Sequence, residues 1–143
     1  MKWGSRYCYE YVNRLHKSIK KHTKRATQLY CFTDDTKNID KDIICKPLPK
    51  ISLPETISYT PWRKISLWQH PLYNLQGDVL FLDLDLVITG NLDRFFDFKP
   101  GYYCVIENWT QIGKNIGNTS CFRFPIGKYN FVFKKFEKNP KKY

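Results

Sequence analysis

Asp78-Val79-Leu80-Phe81-Leu82-Asp83-Leu84-Asp85-Leu86-Val87-Ile88-Thr89-Gly90-Asn91-Leu92-Asp93 is the stretch on which the fold turns. Val79 to Leu82 is an apolar run with β-branched and aromatic character, bounded by Gly77-Asp78 before it and by acids after it. Such a run reads as a buried strand. Apolar on both faces, it is expected at the centre of a mostly parallel sheet. Asp83 and Asp85 follow, one apolar residue apart, and a second apolar run, Leu86-Val87-Ile88, stops at Thr89-Gly90. Two carboxylates directly after a central strand are costly to bury unpaired. They are expected at the carboxyl edge of the sheet, where open α/β folds bind ligands. There they can share a divalent cation, because hard cations take oxygen ligands and bridge phosphates. Asp-x-Asp alone also reads as a solvated turn. The strand before it and the apolar run and glycine after it are what favour metal or phosphate chemistry.

Outward from this stretch, strands and helices alternate. Met1-Lys2-Trp3-Gly4 reads as the tail of a first strand ending in a glycine turn. Glu10 to His22 reads as a helix, with Tyr11, Val12, Leu15 and Ile19 as its apolar stripe and Arg14, Lys17, Lys20 and Lys21 on the solvated face. Gln28 to Thr33 reads as a short strand, and the strand–helix–strand order implies a right-handed crossover. Asp34 or Asp35 then lies at the carboxyl edge, where a ribose or base can sit, or caps a turn. Asp42 to Cys45 reads as a further strand. Four prolines between Pro47 and Pro61 mark an irregular connection, after which Trp62 to Gln69 reads as a helix. Asn91 to Phe98 is expected as a short helix with Asn91 as its cap and Asp93 complementing the dipole. Tyr102 to Ile106 and Ser120 to Phe124 read as strands around a loop over residues 110–117, and Tyr129 to Lys138 as a basic, aromatic helix or tail.

Length and charge narrow the classes. A chain of 143 residues is expected to form one domain with a real core. It holds no apolar run long enough for a transmembrane helix, and no apolar stretch of signal-peptide type follows Met1-Lys2. The net charge of +11 suggests a nucleic acid, an anionic membrane or a phosphorylated ligand. However, 18 of the 24 basic residues are lysine, spread along the chain, whereas bidentate phosphate and base contacts favour arginine. That pattern suits biased composition with weak membrane-surface attraction, and no specific nucleic acid. Cys8, Cys31, Cys45, Cys104 and Cys121 lack paired spacing and, with four of them in apolar or strand-like runs, read as free, buried thiols in a reducing, cytoplasmic compartment. The three histidines suggest no metal cluster.

The stretch Val79-Leu80-Phe81-Leu82-Asp83-Leu84-Asp85-Leu86-Val87-Ile88-Thr89-Gly90-Asn91-Leu92-Asp93 resembles the signature strand of GT-A-fold glycosyltransferases, near the family 8 type and a group of bacterial and viral relatives. Residues 2–7, 11–15, 31–35, 62–67 and 118–124 resemble the same group, in the same order. The resemblance implies an α/β, GT-A (Rossmann-like) fold with a mostly parallel central sheet flanked by helices. It implies Asp83 and Asp85 as the DxD pair, holding Mn²⁺ or Mg²⁺ against the diphosphate of a nucleotide-sugar, of UDP type by expectation. It further implies Trp3 and Tyr7 as candidates for stacking on the base and Asp34 as a ribose or base contact. Lys64, or its neighbour Arg63, is implied beside the diphosphate, and Asn118 and Ser120 at the donor sugar. The resembling proteins carry an apolar strand ahead of Met1-Lys2 and generally continue past the sheet. A donor-binding half with a reduced acceptor half is therefore expected. The acceptor, the catalytic base and the stereochemical outcome are not specified by any residue.

Two rivals stay open. A transferase remnant would bind the nucleotide-sugar without turning it over. A haloacid-dehalogenase-like phosphatase would use Asp83 as nucleophile and Asp85 as acid/base. That fold needs later acids for Mg²⁺, and only Glu107 and Glu137 follow Asp97.

Overall fold

The apolar stripe on Val12, Leu15 and Ile19 drives the first helix. The computed structural model describes residues 1–58 and 61–142. Its regular elements are α1 (Tyr9–His22), β1 (Tyr30–Phe32), β2 (Ile44–Lys46), β3 (Asp78–Leu82), α2 (Asp93–Asp97), β4 (Cys104–Glu107), β5 (Gly117–Pro125) and α3 (Asn130–Lys138). Short 3₁₀ helices cover Glu55–Ile57, Pro61–Trp68 and Pro140–Lys142. The chain is a small mixed α/β protein with a short parallel sheet and an antiparallel one. It divides into two compact units: Met1–Leu48 with Leu80–Phe124, and Pro49–Val79 with Pro125–Tyr143.

In the first unit, α1 carries Glu10 in its first turn and Lys20, Lys21 and His22 in its last. Both placements complement the helix dipole. Val12 and Leu15 are buried, and with Cys31, Ile43 and Leu84 they form the core of this unit. Leu82, Ile88, Ile19, Leu29, Ile39, Cys45 and Tyr7 pack around it. Burying side chains of this size contributes about 1.5–3 kcal/mol each. β1 and β2 pair in parallel, with Cys31 opposite Cys45. The Lys2 amide donates to the Phe32 carbonyl at 2.8 Å, and Lys2 bridges Thr33 in parallel. The N-terminal stub therefore extends this sheet beside β1, as its strand-tail reading requires.

β3 departs from its expected place. The second sheet has the order β3-β5-β4, so β3 is an edge strand and β5 the central one. β4 and β5 are antiparallel. Phe81 stacks on Phe122 with ring centroids 4.8 Å apart, and the Asp83 amide donates to the Ser120 carbonyl at 2.9 Å. As one strand advances from 81 to 83 its partner retreats from 122 to 120, which is antiparallel pairing. The expected mostly parallel sheet is thus split, and the strand bearing the two aspartates lies in the antiparallel part. The physical reason lies in β5. Cys121, Phe122, Arg123 and Phe124 are all buried, so β5 is covered on both faces and takes the central position. β3 has only Phe81 buried, which suits an edge.

Other boundaries shift by smaller amounts. The run Leu86-Val87-Ile88 does not form a strand, and Val87 is 83% exposed. The helix expected over 91–98 contracts to α2, with the Asn91 side chain accepting the Asp93 amide at 2.6 Å. The 110–117 loop is bonded internally: Glu107 accepts the Gly113 amide at 2.8 Å, and the Asn108 amide donates to Ile116 at 2.7 Å.

The second unit is built on aromatic packing. Trp62 stacks on Phe136 at 5.7 Å, and Trp68 meets the Tyr129 edge at 5.9 Å. Glu137 of α3 accepts the Ser52 amide at 2.9 Å. The segment expected as an α-helix over 62–69 is the 3₁₀ helix Pro61–Trp68, where the Ser66 hydroxyl donates to the Arg63 carbonyl at 2.8 Å. Among the described residues, no helix is long and apolar enough to cross a membrane.

Candidate functional site

The carboxyl ends of β1 and β3 both terminate in acids, and the N-terminal turn connects them. β3 ends at Leu82. Asp83 follows it half-buried, Leu84 is buried in the core, and Asp85 is exposed on the next turn. Leu84, in the turn after β3, is anchored in the α1 core, while Asp83 is half-buried and Asp85 exposed on either side of it. The Ser120 carbonyl fixes the backbone at Asp83 through the bond from its amide.

Tyr7 reaches this pair. Its hydroxyl donates to Oδ2 of Asp85 at 2.6 Å. The bond to Asp85, then burial, then the carboxylate charges of Asp85 and Asp83 push the Tyr7 phenol above its ordinary range. The Tyr7 ring meets the Tyr11 ring edge-to-face at 5.0 Å, and the Arg6 guanidinium lies 5.4 Å from its centroid. At the other end of the same turn, the Gly4 amide donates to Oδ2 of Asp34 at 2.9 Å. Gly4 has φ +61, a left-handed conformation that glycine adopts without strain. The segment Gly4–Tyr7 thus spans from Asp34, after β1, to Asp85, after β3.

The remaining candidates fall in different places. Trp3 is half-buried in the same turn. The Asn118 side-chain oxygen accepts the amide of Ser120 at 2.9 Å, which commits it to its own strand. Ser120 contributes its carbonyl to Asp83. The first unit therefore brings together Trp3, Tyr7, Asp34, Asp83, Asp85 and Ser120, with Asn118 two residues before Ser120. Lys64 and Arg63 belong to the second unit, half-buried in the 3₁₀ helix. Asp35 is not an alternative to Asp34 at the turn. It takes the Lys37 amide at 2.9 Å and pairs with the buried Lys2 at 3.7 Å.

Several residues escape a reading of the sequence. The Tyr7–Asp85 bond joins positions 78 residues apart, so no local pattern announces it. Cys121 lies close enough to Asp83 to feel its charge. Burial first, and that charge second, push its thiol up to about 11. It is therefore a protonated core thiol, not a nucleophile. Asp93 is neither a ligand nor a simple dipole partner. It accepts the Thr23 hydroxyl at 2.5 Å and the Lys24 amide at 3.0 Å, clasping the chain just after α1.

Asp83 and Asp85 are the residues that could hold a cation. Both are hard carboxylate oxygens at a strand end, with one of them exposed. Among the described residues no third histidine, cysteine or acid joins them. Two protein carboxylates suit a cation whose other ligands are phosphate oxygens and water. No protein family, no curated protein and no solved structure matches the chain.

Proposed function

We propose that the protein is a metal-dependent glycosyltransferase of GT-A type, with a nucleoside-diphosphate sugar as donor. The observation that carries the reading is the N-terminal turn. It joins the carboxyl end of β1 at Asp34 to that of β3 at Asp85, so one short segment frames an acidic strand end. That arrangement suits a donor whose base and ribose lie by the turn and whose diphosphate lies by the aspartates.

Asp83 and Asp85 hold Mn²⁺ or Mg²⁺, which neutralises charge on the leaving diphosphate. Asp83 is fixed by its backbone bond to Ser120, and Asp85 by Tyr7. Trp3 offers a ring face to the base. Asp34, with Oδ2 committed to Gly4, has Oδ1 for a ribose hydroxyl. Tyr7, whose hydroxyl is bound to Asp85, stays a second candidate for the base, because that bond leaves its ring available for stacking. Lys64 is carried by the other compact unit. The five free thiols support a reducing, cytoplasmic setting.

The test is release of the nucleoside diphosphate from a panel of UDP-, GDP- and CDP-sugars, with and without Mn²⁺. One donor should be cleaved, dependent on metal, and Asp83→Asn and Asp85→Asn should each abolish turnover. Metal-dependent hydrolysis of a simple phosphomonoester, with no donor cleaved, would instead support an aspartyl phosphatase.

A further inference from the structure

We infer that Tyr7 is a positioning residue for the cation site, holding Oδ2 of Asp85 so that Oδ1 is presented as the ligand. The inference rests on the reading of Asp83 and Asp85 as a cation pair. An exposed aspartate on a turn is free to rotate, and ordering it on binding costs affinity. At Asp85 that ordering is already made by the 2.6 Å bond from the Tyr7 hydroxyl.

Tyr7 can do this because it is itself held. Its ring packs against the Val12, Leu15 and Cys31 core and meets Tyr11 at 5.0 Å. The turn that carries it is anchored at Gly4 by Asp34. A carboxylate with one oxygen accepting a strong hydrogen bond has its other oxygen for monodentate ligation. That is the mode small divalent cations use when phosphates and water fill the remaining positions. Hydrogen-bond partners of metal ligands typically matter 10- to 100-fold in metal affinity.

The experiment is Mn²⁺ titration of the full chain, with free Mn²⁺ read by its electron paramagnetic resonance signal and the fold checked by circular dichroism. Tyr7→Phe keeps the ring and removes the hydroxyl, and should raise Kd about 10- to 100-fold. Tyr11→Phe, which keeps the edge contact, should leave Kd within about twofold, against that same range. In an Asp85→Asn background, Tyr7→Phe should add nothing further, because the bond it removes no longer serves a ligand. If the wild type binds Mn²⁺ and Tyr7→Phe binds it equally or more tightly, the positioning role is overturned while the cation pair stands. If Tyr7→Phe does not fold, the hydroxyl is a structural bond and the assignment fails. If the wild type does not bind Mn²⁺ at all, both readings fall together.

Discussion

Arg123 is fully buried in the central strand, and its guanidinium donates to backbone carbonyls: Phe96 at 3.2 Å, Tyr102 at 3.1 Å, and Lys99. These bonds organise the chain between α2 and β4. Hydrogen bonds from a charged group contribute about 1.5–3 kcal/mol each, and orphaned buried carbonyls are costly. Arg123→Met should therefore lower stability by roughly 3 kcal/mol or more in urea unfolding. A loss under about 1 kcal/mol would show that water replaces the fork. Two other residues contribute to the acid side of the stability profile. His16 is buried in α1, and burial, with Lys20 second, lowers its pKa from the ordinary 6.5. The folded state thus resists a proton that the unfolded chain accepts, and stability should decline as pH falls through about 6.5. His16→Leu should flatten that part of the profile. Asp93 is held at about 2, chiefly by the Thr23 hydroxyl and then the Lys24 amide. Its contribution is complete above its ordinary 3.8 and is lost as pH falls from there towards about 2. Asp93→Asn should remove its share of this lower step, leaving the parts that Asp35 and Asp42, also held below their ordinary range, contribute.

At the scale of elements, legibility followed locality. The α1 stripe is contained within fourteen residues, so its spacing alone predicts the helix, and Leu15→Ala should cost about 2–5 kcal/mol in the unit it anchors. What periodicity does not encode is a strand's neighbour. An apolar run such as Val79 to Leu82 fits a central parallel strand and a half-covered edge strand equally. The choice was made by Cys121 to Phe124, far along the chain, whose burial on both faces claims the central place. The turn at Gly4 shows the same limit. Its glycine announces a turn, but only the fold shows that the turn ends on Asp34 and Asp85. Gly4→Ala puts a Cβ into open space, so its cost is the left-handed backbone, about 1–2 kcal/mol. The variant should also weaken Mn²⁺ binding as the turn loosens. Unchanged stability and affinity would show that the turn is not constrained.

For the molecule as a whole, the acidic strand ends stand out against a chain of net charge +11. Such a background draws anionic ligands in at low ionic strength, and salt should weaken donor binding through this term. The two compact units divide the chemistry unequally. Asp34, Asp83, Asp85, Trp3 and Tyr7 all belong to the first, while the second is held by Trp62 on Phe136 and by Glu137 on the chain at Ser52. We propose that the first unit binds a nucleotide-sugar through a cation on Asp83 and Asp85. The most direct measurement is a thermal-shift titration with UDP-, GDP- and CDP-sugars, with and without Mn²⁺, on the wild type and on Asp83→Asn. A donor at roughly a hundred times its dissociation constant should stabilise the wild type by about 2.7 kcal/mol. That shift is expected for one base, only with Mn²⁺, and none in Asp83→Asn. A cooperative melt that no donor shifts, or a shift that persists without metal and in Asp83→Asn, would contradict the proposal.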